Sequence, residues 1–375
     1  MNPVPKVPVL GNELPQETSR LHGDNGILAL RHLLAAAVIA SHSWTVLQAN
    51  DTREPIMIIT RGQMNGGALA VDAFFTVSGF LVCQSLARSR SVIEFLLRRV
   101  LRIYPAFLVV CLLQGLLLVP AVTGDWHSLG HGDTLVRVLL FGVTLGGAGD
   151  PSVSEPAPFA SNPFGGHLNA SLWTIRPEFL CYVLLAALGA AGLTRIRPIR
   201  LALLLGCTFL FAVSPDWDWD ESLKAIFGTF YYWPRFLAFF VAGVCLCHDG
   251  NQLPKSRSAC LLVSSALCLS SIHPMAFRAA LPILGAWLLF ASFSNRWLIQ
   301  LSRRIPGDIS FGLYLMGFPC QQLLVLATGA NWHPALFGGV AVLLTALPAA
   351  ASWRAIEKPT LALRHSLPKL LGGNH

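Results

Sequence analysis

Residues 101–120 read LRIYPAFLVVCLLQGLLLVP, and Arg102 is the only charged residue among them. A helix rises about 1.5 Å per residue, so twenty such residues cover the roughly 30 Å hydrocarbon core of a bilayer. The 375-residue chain is only 12% charged, whereas soluble domains carry about 25% charged residues. Further apolar blocks lie at 27–47, 67–86, 171–193, 199–213, 231–247, 259–273, 276–291, 308–328 and 335–353. These blocks predict an all-α fold, a polytopic helical bundle in a membrane.

The distribution of arginine and lysine predicts the topology. An eleventh, weaker block at 134–148 is interrupted by Arg137. If that block does not cross, the basic loops 194–200 and 292–307 lie on the same side as both termini, as the positive-inside rule requires. If it crosses, both loops change sides. We therefore predict about ten transmembrane helices plus one re-entrant or interfacial helix at 134–148, with both termini cytoplasmic.

The same reading divides the chain into a polar cytoplasmic tail at 1–25, a membrane domain at 26–360 and a short cytoplasmic tail at 361–375. Nearly all of the nine cysteines fall inside apolar blocks, where they are interpreted as small apolar residues rather than metal ligands. The net charge of +8 is explained by basic cytoplasmic loops, and no basic strip interleaved with aromatic residues favours nucleic acid.

Three polar residues stand out in the first two blocks. Arg31 and His42 are eleven positions apart in RHLLAAAVIASH, so they share one helix face and differ in height by about 16 Å. Asp72 opens the second block and is expected at a depth similar to that of His42. Ionisable groups inside a membrane are costly and are functional candidates. The alternatives are a snorkelling arginine, an interfacial histidine and a first-turn acid favoured by the helix dipole.

A basic cluster marks the cytoplasmic start of the third block, in FLLRRVLRIYPAF. It contains Arg98, Arg99 and Arg102, of which Arg99 and Arg102 are i, i+3 neighbours on one face. Two guanidiniums at the membrane entrance suit a phosphorylated ligand from the cytosol. Ordinary positive-inside anchoring is the alternative.

Two stripes of polar residues follow helical spacing in later blocks. They are Ser171, Thr174, Glu178 and Tyr182 in SLWTIRPEFLCY, and Ser310, Tyr314 and Gln321 in DISFGLYLMGFPCQQ. Among the acidic residues, Glu178 is the strongest candidate for a functional carboxylate inside the membrane. The alternative is a structural role as the partner of Arg176 or Arg235. The second stripe is also typical of hydrogen bonds between helices.

An outer loop, DWDWDES at 216–222, places Trp217 and Trp219 between acids. Aromatic faces dock sugars and carboxylates accept their hydroxyls, which makes both tryptophans candidates for substrate binding. Interfacial anchoring is the alternative. A base near the outer face, a basic cradle at the inner face and a helical conduit between them would together serve group transfer across a membrane.

Six segments carry a family resemblance in their order along the chain. They are Arg31-x10-His42, GGALAVDAFFTVSGFL at 66–81, Arg99-x-x-Arg102-Ile-Tyr-Pro, SLWTIRPEF at 171–179, DISFGLYLMGFPCQQ at 308–322 and Ile356-Glu357-Lys358-Pro359. Together they resemble the acyltransferase-3 family of bacterial membrane acyltransferases. Two departures stand out: Gly317 lies where many members carry histidine, and Arg176-Pro177 replaces the usual Leu-Pro before the glutamate.

The resemblance implies a multi-pass protein of the bacterial cytoplasmic (inner) membrane that uses acyl-CoA, usually acetyl-CoA, as donor. The acceptor would be a sugar hydroxyl on lipopolysaccharide, exopolysaccharide, a peptidoglycan-related glycan or a small glycoside. Membrane lipid and glycan assembly machinery would be its partners, with no nucleic acid and no metal.

The chemistry of the candidate residues suggests a role for each in such a reaction. His42 would be the essential group, as general base or as acyl-carrying nucleophile, with Asp72 or Glu178 fixing its tautomer. CoA would be held by Arg31, Arg99 and Arg102. The acceptor and the developing oxyanion would contact Ser171, Thr174, Tyr314, Trp217 and Trp219. A glycolipid or anion transporter, and a non-catalytic partner in a glycan assembly complex, remain the competing classes.

Overall fold

The computed structural model describes residues 25–130, 132–151, 156–213 and 230–365, and these contain helices and no strand. The all-α prediction is confirmed. The helices are α1 Ile27–Gln48, α2 Pro55–Ile59, α3 Gly66–Ala87, α4 Val92–Thr123, α5 Gly132–Val143, α6 Leu172–Ala190, α7 Arg197–Val213, α8 Trp233–Asp249, α9 Arg257–Ser270, α10 Pro274–Ser292, α11 Arg296–Arg304, α12 Ser310–Thr328 and α13 Pro334–Ala362.

Within those ranges seven helices are long and apolar enough to cross a membrane, namely α1, α3, α4, α6, α10, α12 and α13. Three other predicted spans form shorter helices, of 17 residues in α7 and α8 and 14 residues in α9. The eleventh block forms α5, whose 12 residues reach only about 18 Å. A polytopic membrane bundle is thereby confirmed, while the count of ten spans and the cytoplasmic placement of both termini stay predictions.

The third span begins earlier than its apolar block predicted. Helix α4 starts at Val92 rather than near residue 101, because the Ser91 hydroxyl accepts the backbone N–H of Glu94 at 3.1 Å and caps the first turn. Arg98 and Arg99 therefore lie on the same formed helix as Arg102 and not in the loop before it. Their directions are consequently set by the helical repeat.

Small residues bring the central helices together. Helices α3 and α8 cross where Gly79 lies against the carbonyl of Phe240 and Gly243 against the carbonyl of Thr76, leaving no space for a side chain at either glycine. Helix α12 packs on α13 in the same way, through Gly312 against Ala349. Such close approach of backbones is how helices associate in lipid, where the hydrophobic effect between helices is absent. It fixes α3 and α12 as the walls of the site described next.

Candidate active site

A cavity of about 100 Å³ lies between α1, α3, α4, α6 and α12. On α3 its wall extends from Val71 to Val82, a rise of about 16 Å for eleven residues. The cavity brings together eight residues that the sequence singled out: Arg31, Arg99, Arg102, Thr174, Glu178, Tyr182, Ser310 and Tyr314. These residues come from four helices that are far apart in the chain.

The three arginines line the end of the cavity near the starts of α4 and α12. Two of them share one carboxylate oxygen: Oδ2 of Asp308 accepts from Arg31 at 2.5 Å and from Arg102 at 2.7 Å. Arg102 also approaches Glu357 at 3.5 Å. The charges of Arg31 and Arg102 are therefore already balanced by protein carboxylates.

Arg99 differs from its two neighbours in having no such balance. Its guanidinium donates to the Ser85 hydroxyl at 3.2 Å and lies 6.0 Å from the centre of the Phe95 ring. In the described part of the chain no carboxylate pairs with it. Arg99 is accordingly the cation of this cavity best able to accept an external anion.

Asp308 lies just before α12, where it organises the helix start. Its second oxygen, Oδ1, accepts from the Ser310 hydroxyl at 2.5 Å and from the Ser310 backbone N–H at 3.3 Å. Burial by itself would raise the pKa of Asp308, but the guanidiniums of Arg31 and Arg102 outweigh it and hold that pKa well below its usual range. The carboxyl group is ionised throughout the physiological pH range.

Glu178 lies on the cavity wall, where its Oε1 accepts hydrogen bonds from the Ser78 and Tyr182 hydroxyls. Arg235, which was the alternative partner for Glu178, instead donates to Asp72.

Thr174 and Tyr314, one from each predicted stripe, meet through a hydrogen bond of 2.5 Å between their hydroxyls. The Tyr314 ring also packs edge-on against Phe74, at 6.0 Å between ring centres. This pair closes the cavity at the end away from the arginines.

His42 lies beyond that closed end. Its ring packs edge-on against Phe318 of α12, at 5.5 Å between centres. Phe318 follows Tyr314 by one helical turn, about 6 Å along α12. The Nδ1 atom of His42 is buried and has no hydrogen-bond partner among the described residues. A buried polar atom without a partner is costly, and such atoms occur where a ligand or a reaction makes use of them.

Neither carboxylate expected to orient His42 contacts it. Asp72 is fully buried, and both of its oxygens accept from Arg235, at 2.8 and 2.9 Å. Glu178 is bonded to hydroxyls on the other side of the Thr174–Tyr314 pair. The expected contact with His42 is thus corrected. Asp72 instead accepts two hydrogen bonds from Arg235, because a charged guanidinium stabilises a buried carboxylate better than a neutral imidazole would.

The segment 156–171 covers the His42 end of the bundle. Asn162 donates to the backbone carbonyl and to the side-chain amide oxygen of Gln322, both at 2.9 Å, and Asn169 donates to the carbonyl of Leu315 at 2.7 Å. Phe164 packs against Phe318 at 6.2 Å. The segment is therefore held to α12 by these hydrogen bonds, next to the Phe318 ring that also contacts His42.

The remaining predicted site residues are placed less centrally. Ser171 is buried at the end of this segment, directly before α6, but does not line the cavity. Gln321 donates to the Ile39 carbonyl at 2.8 Å and to the Ser43 hydroxyl at 3.0 Å, and so joins α12 to α1 beside His42. Trp217 and Trp219 lie outside the described residues.

Sequence reasoning missed Asp308 and Ser78 as members of the site. Asp308 opens the segment DISFGLYL and precedes a helix by two residues, a position typical of an acid that binds helix N–H groups. That signal was available in the sequence. Ser78 gave none, because a serine inside an apolar helix does not show which residue its hydroxyl will reach.

Comparison with known proteins identifies the family of the chain. Residues 24–353 match the family model described as an acyltransferase domain. The fold and the match define the class, a multi-pass membrane acyltransferase. The chain belongs to the acyltransferase-3 family, and the resemblance carried by its motifs is confirmed.

Two relatives cover nearly the whole chain. An O-acetyl transferase of Shigella phage Sf6 is 26% identical in an alignment 361 positions long that covers 93% of this chain and 99% of that protein. The nodulation protein 10 of Rhizobium leguminosarum bv. viciae is 28% identical in an alignment 369 positions long that covers 94% of this chain and 96% of that protein. No solved structure matches the chain.

Proposed function

We propose that this protein is an O-acetyltransferase that moves an acetyl group from cytoplasmic acetyl-CoA to a hydroxyl of a glycan on the His42 side of the membrane. The observation that carries the proposal is the alignment of an arginine-lined cavity with a buried histidine whose Nδ1 has no partner. The name of the phage relative, an O-acetyl transferase, supports the reaction type.

The donor would enter at the arginine end. A CoA phosphate bound to Arg99 would form charge-assisted hydrogen bonds, and the pantetheine arm would extend along α3 toward Thr174 and Tyr314. The cavity of about 100 Å³ lies below the roughly 300–1,000 Å³ of sites that enclose a whole drug-sized ligand. Such a volume suits the thioester end of the donor with a short acyl group, and the nucleotide would stay outside. This argues for acetyl rather than a long acyl chain.

His42 would act where donor and acceptor meet. As general base, it would take the proton from a sugar hydroxyl whose oxygen attacks the thioester carbonyl, and the imidazolium would return that proton to the departing CoA thiolate. As nucleophile, its neutral ring nitrogen would attack the thioester carbonyl and expel CoA as the thiolate. A sugar hydroxyl would then attack the acetyl-imidazole, which releases the imidazole, and the hydroxyl proton would pass to the CoA thiolate or to the freed imidazole. The hydroxyls of Thr174 and Tyr314 would donate to the oxyanion once their mutual hydrogen bond opens. Both routes need the neutral imidazole.

The test is acetyl transfer by the purified protein in lipid nanodiscs, with radiolabelled acetyl-CoA and lipid-linked or exported glycans as acceptors. We expect the parent to label a glycan and His42→Ala to lose at least a thousandfold in rate. The matched control is His333→Ala, since His333 is an exposed histidine at the same end of the bundle. Glycan labelling by His42→Ala at the parental rate would refute the assigned role of His42.

The same preparation distinguishes the two routes and the competing class. Label that becomes bound to the parent protein without acceptor, and not to His42→Ala, would identify an acetyl-histidine. When the same protein is reconstituted into liposomes, a transporter would move glycolipid across the membrane without acetyl-CoA. Transport that is independent of acetyl-CoA, with no label transferred, would replace the acyltransferase proposal.

A further inference from the structure

A second and larger cavity lies on the other face of α3. Its volume is about 860 Å³, and α3 turns Ala73 and Thr76 toward it while Phe74 and Ser78 face the candidate active site. Helices α1, α2, α8, α9 and α10 complete its walls, which are mostly aliphatic, as at Leu34 and Leu289. The acyl-transfer proposal makes no use of this space.

The hydroxyl and carboxylate groups in its wall are already bonded within the protein. The four wall hydroxyls donate to backbone carbonyls, and the carboxylate of Asp72 pairs with Arg235. These hydroxyls belong to Thr60, Thr76, Ser271 and Ser292. Apart from Arg61, the wall offers ordered water few free hydrogen-bonding groups, and its aliphatic lining gains dispersion contacts from an apolar occupant. The lining therefore favours hydrocarbon as the occupant.

The gap arises because α9 stands away from the rest of the bundle. None of its 14 residues is buried, and Leu262, which the helical repeat places away from the cavity-lining residues Leu267 and Cys268, is 72% exposed. The opposite wall, on α10, extends from Phe277 to Ser292, a rise of about 22 Å for fifteen residues. Half of the hydrocarbon core is roughly 15 Å, so a complete acyl chain of one leaflet fits this length.

One charged residue of the wall lacks a carboxylate partner. Arg61 is exposed at the mouth of the cavity, between the end of α1 and the start of α3, which is also the end of the bundle that holds His42. No ion pair with a described carboxylate engages it. A lone guanidinium above a hydrocarbon channel is complementary to a phosphate joined to an acyl chain.

We propose that this cavity is a lipid site that takes one acyl chain of an anionic phospholipid, with the phosphate bound to Arg61. The site is separate from the acyl-transfer cavity and does not depend on acyl transfer. It would fill the space between α9 and α1 and support the α3 wall that both cavities share.

The test uses phosphatidylglycerol and phosphatidylcholine that carry a photoactivatable diazirine in the same acyl chain, in nanodiscs, with the labelled peptides mapped by mass spectrometry. We expect the parent to label the cavity wall of α9 and α10 at least threefold more with phosphatidylglycerol. Ala37→Phe, which places a ring in the cavity from an exposed position on α1, should lower that labelling at least fivefold. Leu262→Phe, on the outer side of α9, should leave it unchanged.

The headgroup is tested by a pair of arginines in the same loop. Arg61→Gln should abolish the preference for phosphatidylglycerol, whereas Arg53→Gln, which removes an exposed charge outside the cavity, should keep it. Equal labelling of the cavity wall and the outer side of α9 in the parent would overturn the site. A preference that survives Arg61→Gln would overturn the role of that arginine. Neither readout depends on enzyme activity.

Discussion

At the scale of single residues, three neighbouring arginines on α4 differ in what balances their charge. Arg98 pairs with Glu94 at 2.5 Å and Arg102 pairs with Asp308 at 2.7 Å, whereas Arg99 donates to the Ser85 hydroxyl and pairs with no carboxylate among the described residues. A hydrogen bond to a charged group is worth about 1.5–3 kcal/mol, roughly a tenfold to hundredfold change in binding. We therefore expect Arg99→Ala to raise the KM for acetyl-CoA at least tenfold with little change in Tm.

Arg98→Ala is the matched control for that measurement. It removes the same charge one residue away, where the guanidinium is engaged by an acid of its own helix. Steady-state kinetics on both variants would decide the point, and an equal rise in KM would show a general electrostatic effect rather than a phosphate site.

A second residue-scale prediction concerns Gly317, where many family members carry histidine. A Cβ at this position would lie 2.6 Å from Cγ1 and 2.9 Å from Cδ1 of Ile39. Overpacking of this kind costs about 1–3 kcal/mol, so Gly317→Ala should lower Tm measurably. Combining it with Ile39→Ala should cost less than the sum of the two single changes.

Gly339→Ala serves as control, because a Cβ there meets nothing within 4 Å. Thermal unfolding in detergent of the four variants completes the comparison. Strict additivity of Gly317→Ala and Ile39→Ala would contradict the steric account. In this chain the side chain of Ile39 occupies the space that another residue at 317 would need.

At the scale of helices, Asp308 joins the starts of α1, α4 and α12 through Arg31, Arg102 and Ser310. Its pKa is held below the value of about 3.9 that an aspartate has in an unfolded chain. The stability that it contributes is therefore fully present above pH 4 and is lost as the pH falls toward the lowered pKa.

The predicted consequence is a pH-dependent difference between the parent and Asp308→Asn. The variant should unfold at a lower temperature than the parent near pH 7, and the gap should narrow progressively below about pH 4. Tm measured in detergent from pH 3 to pH 7 tests this. A gap that stays constant or widens on acidification would show that Asp308 does not act through its charge.

At the scale of the whole molecule, the sidedness of the bundle is the open prediction. The loops 194–200, 248–258 and 292–307 are rich in arginine and lysine and should face the cytoplasm. Alkaline phosphatase fused after Lys255 should be inactive, whereas fusion after Asn50 should give an active enzyme. The reverse pattern would invert the orientation of the bundle in the membrane, and activity at both positions would require a different number of crossings between them.

Much of the molecule was predictable from its sequence. Apolar blocks fixed by bilayer thickness predicted the helices, and helical spacing predicted which polar side chains share a face, as with Thr174 and Glu178. The start of α4 was misjudged because the hydrophobic pattern of residues 101–120 masks a capping signal at Ser91 ten residues earlier. Residues 216–222, with both candidate tryptophans, remain a sequence prediction.

The sequence by itself determined that this is a helical membrane acyltransferase, because hydrophobicity, charge between spans and motif order are local properties of the chain. Only the tertiary structure decided how charges pair. Asp72 pairs with Arg235 rather than with His42, and Asp308 pairs with Arg31 and Arg102. Spacing along one helix cannot specify a partner on another. A buried charge takes whichever opposite charge the packing brings within reach, and among the described residues that leaves Arg99 without a carboxylate partner. Packing likewise leaves Nδ1 of His42 without a hydrogen bond there.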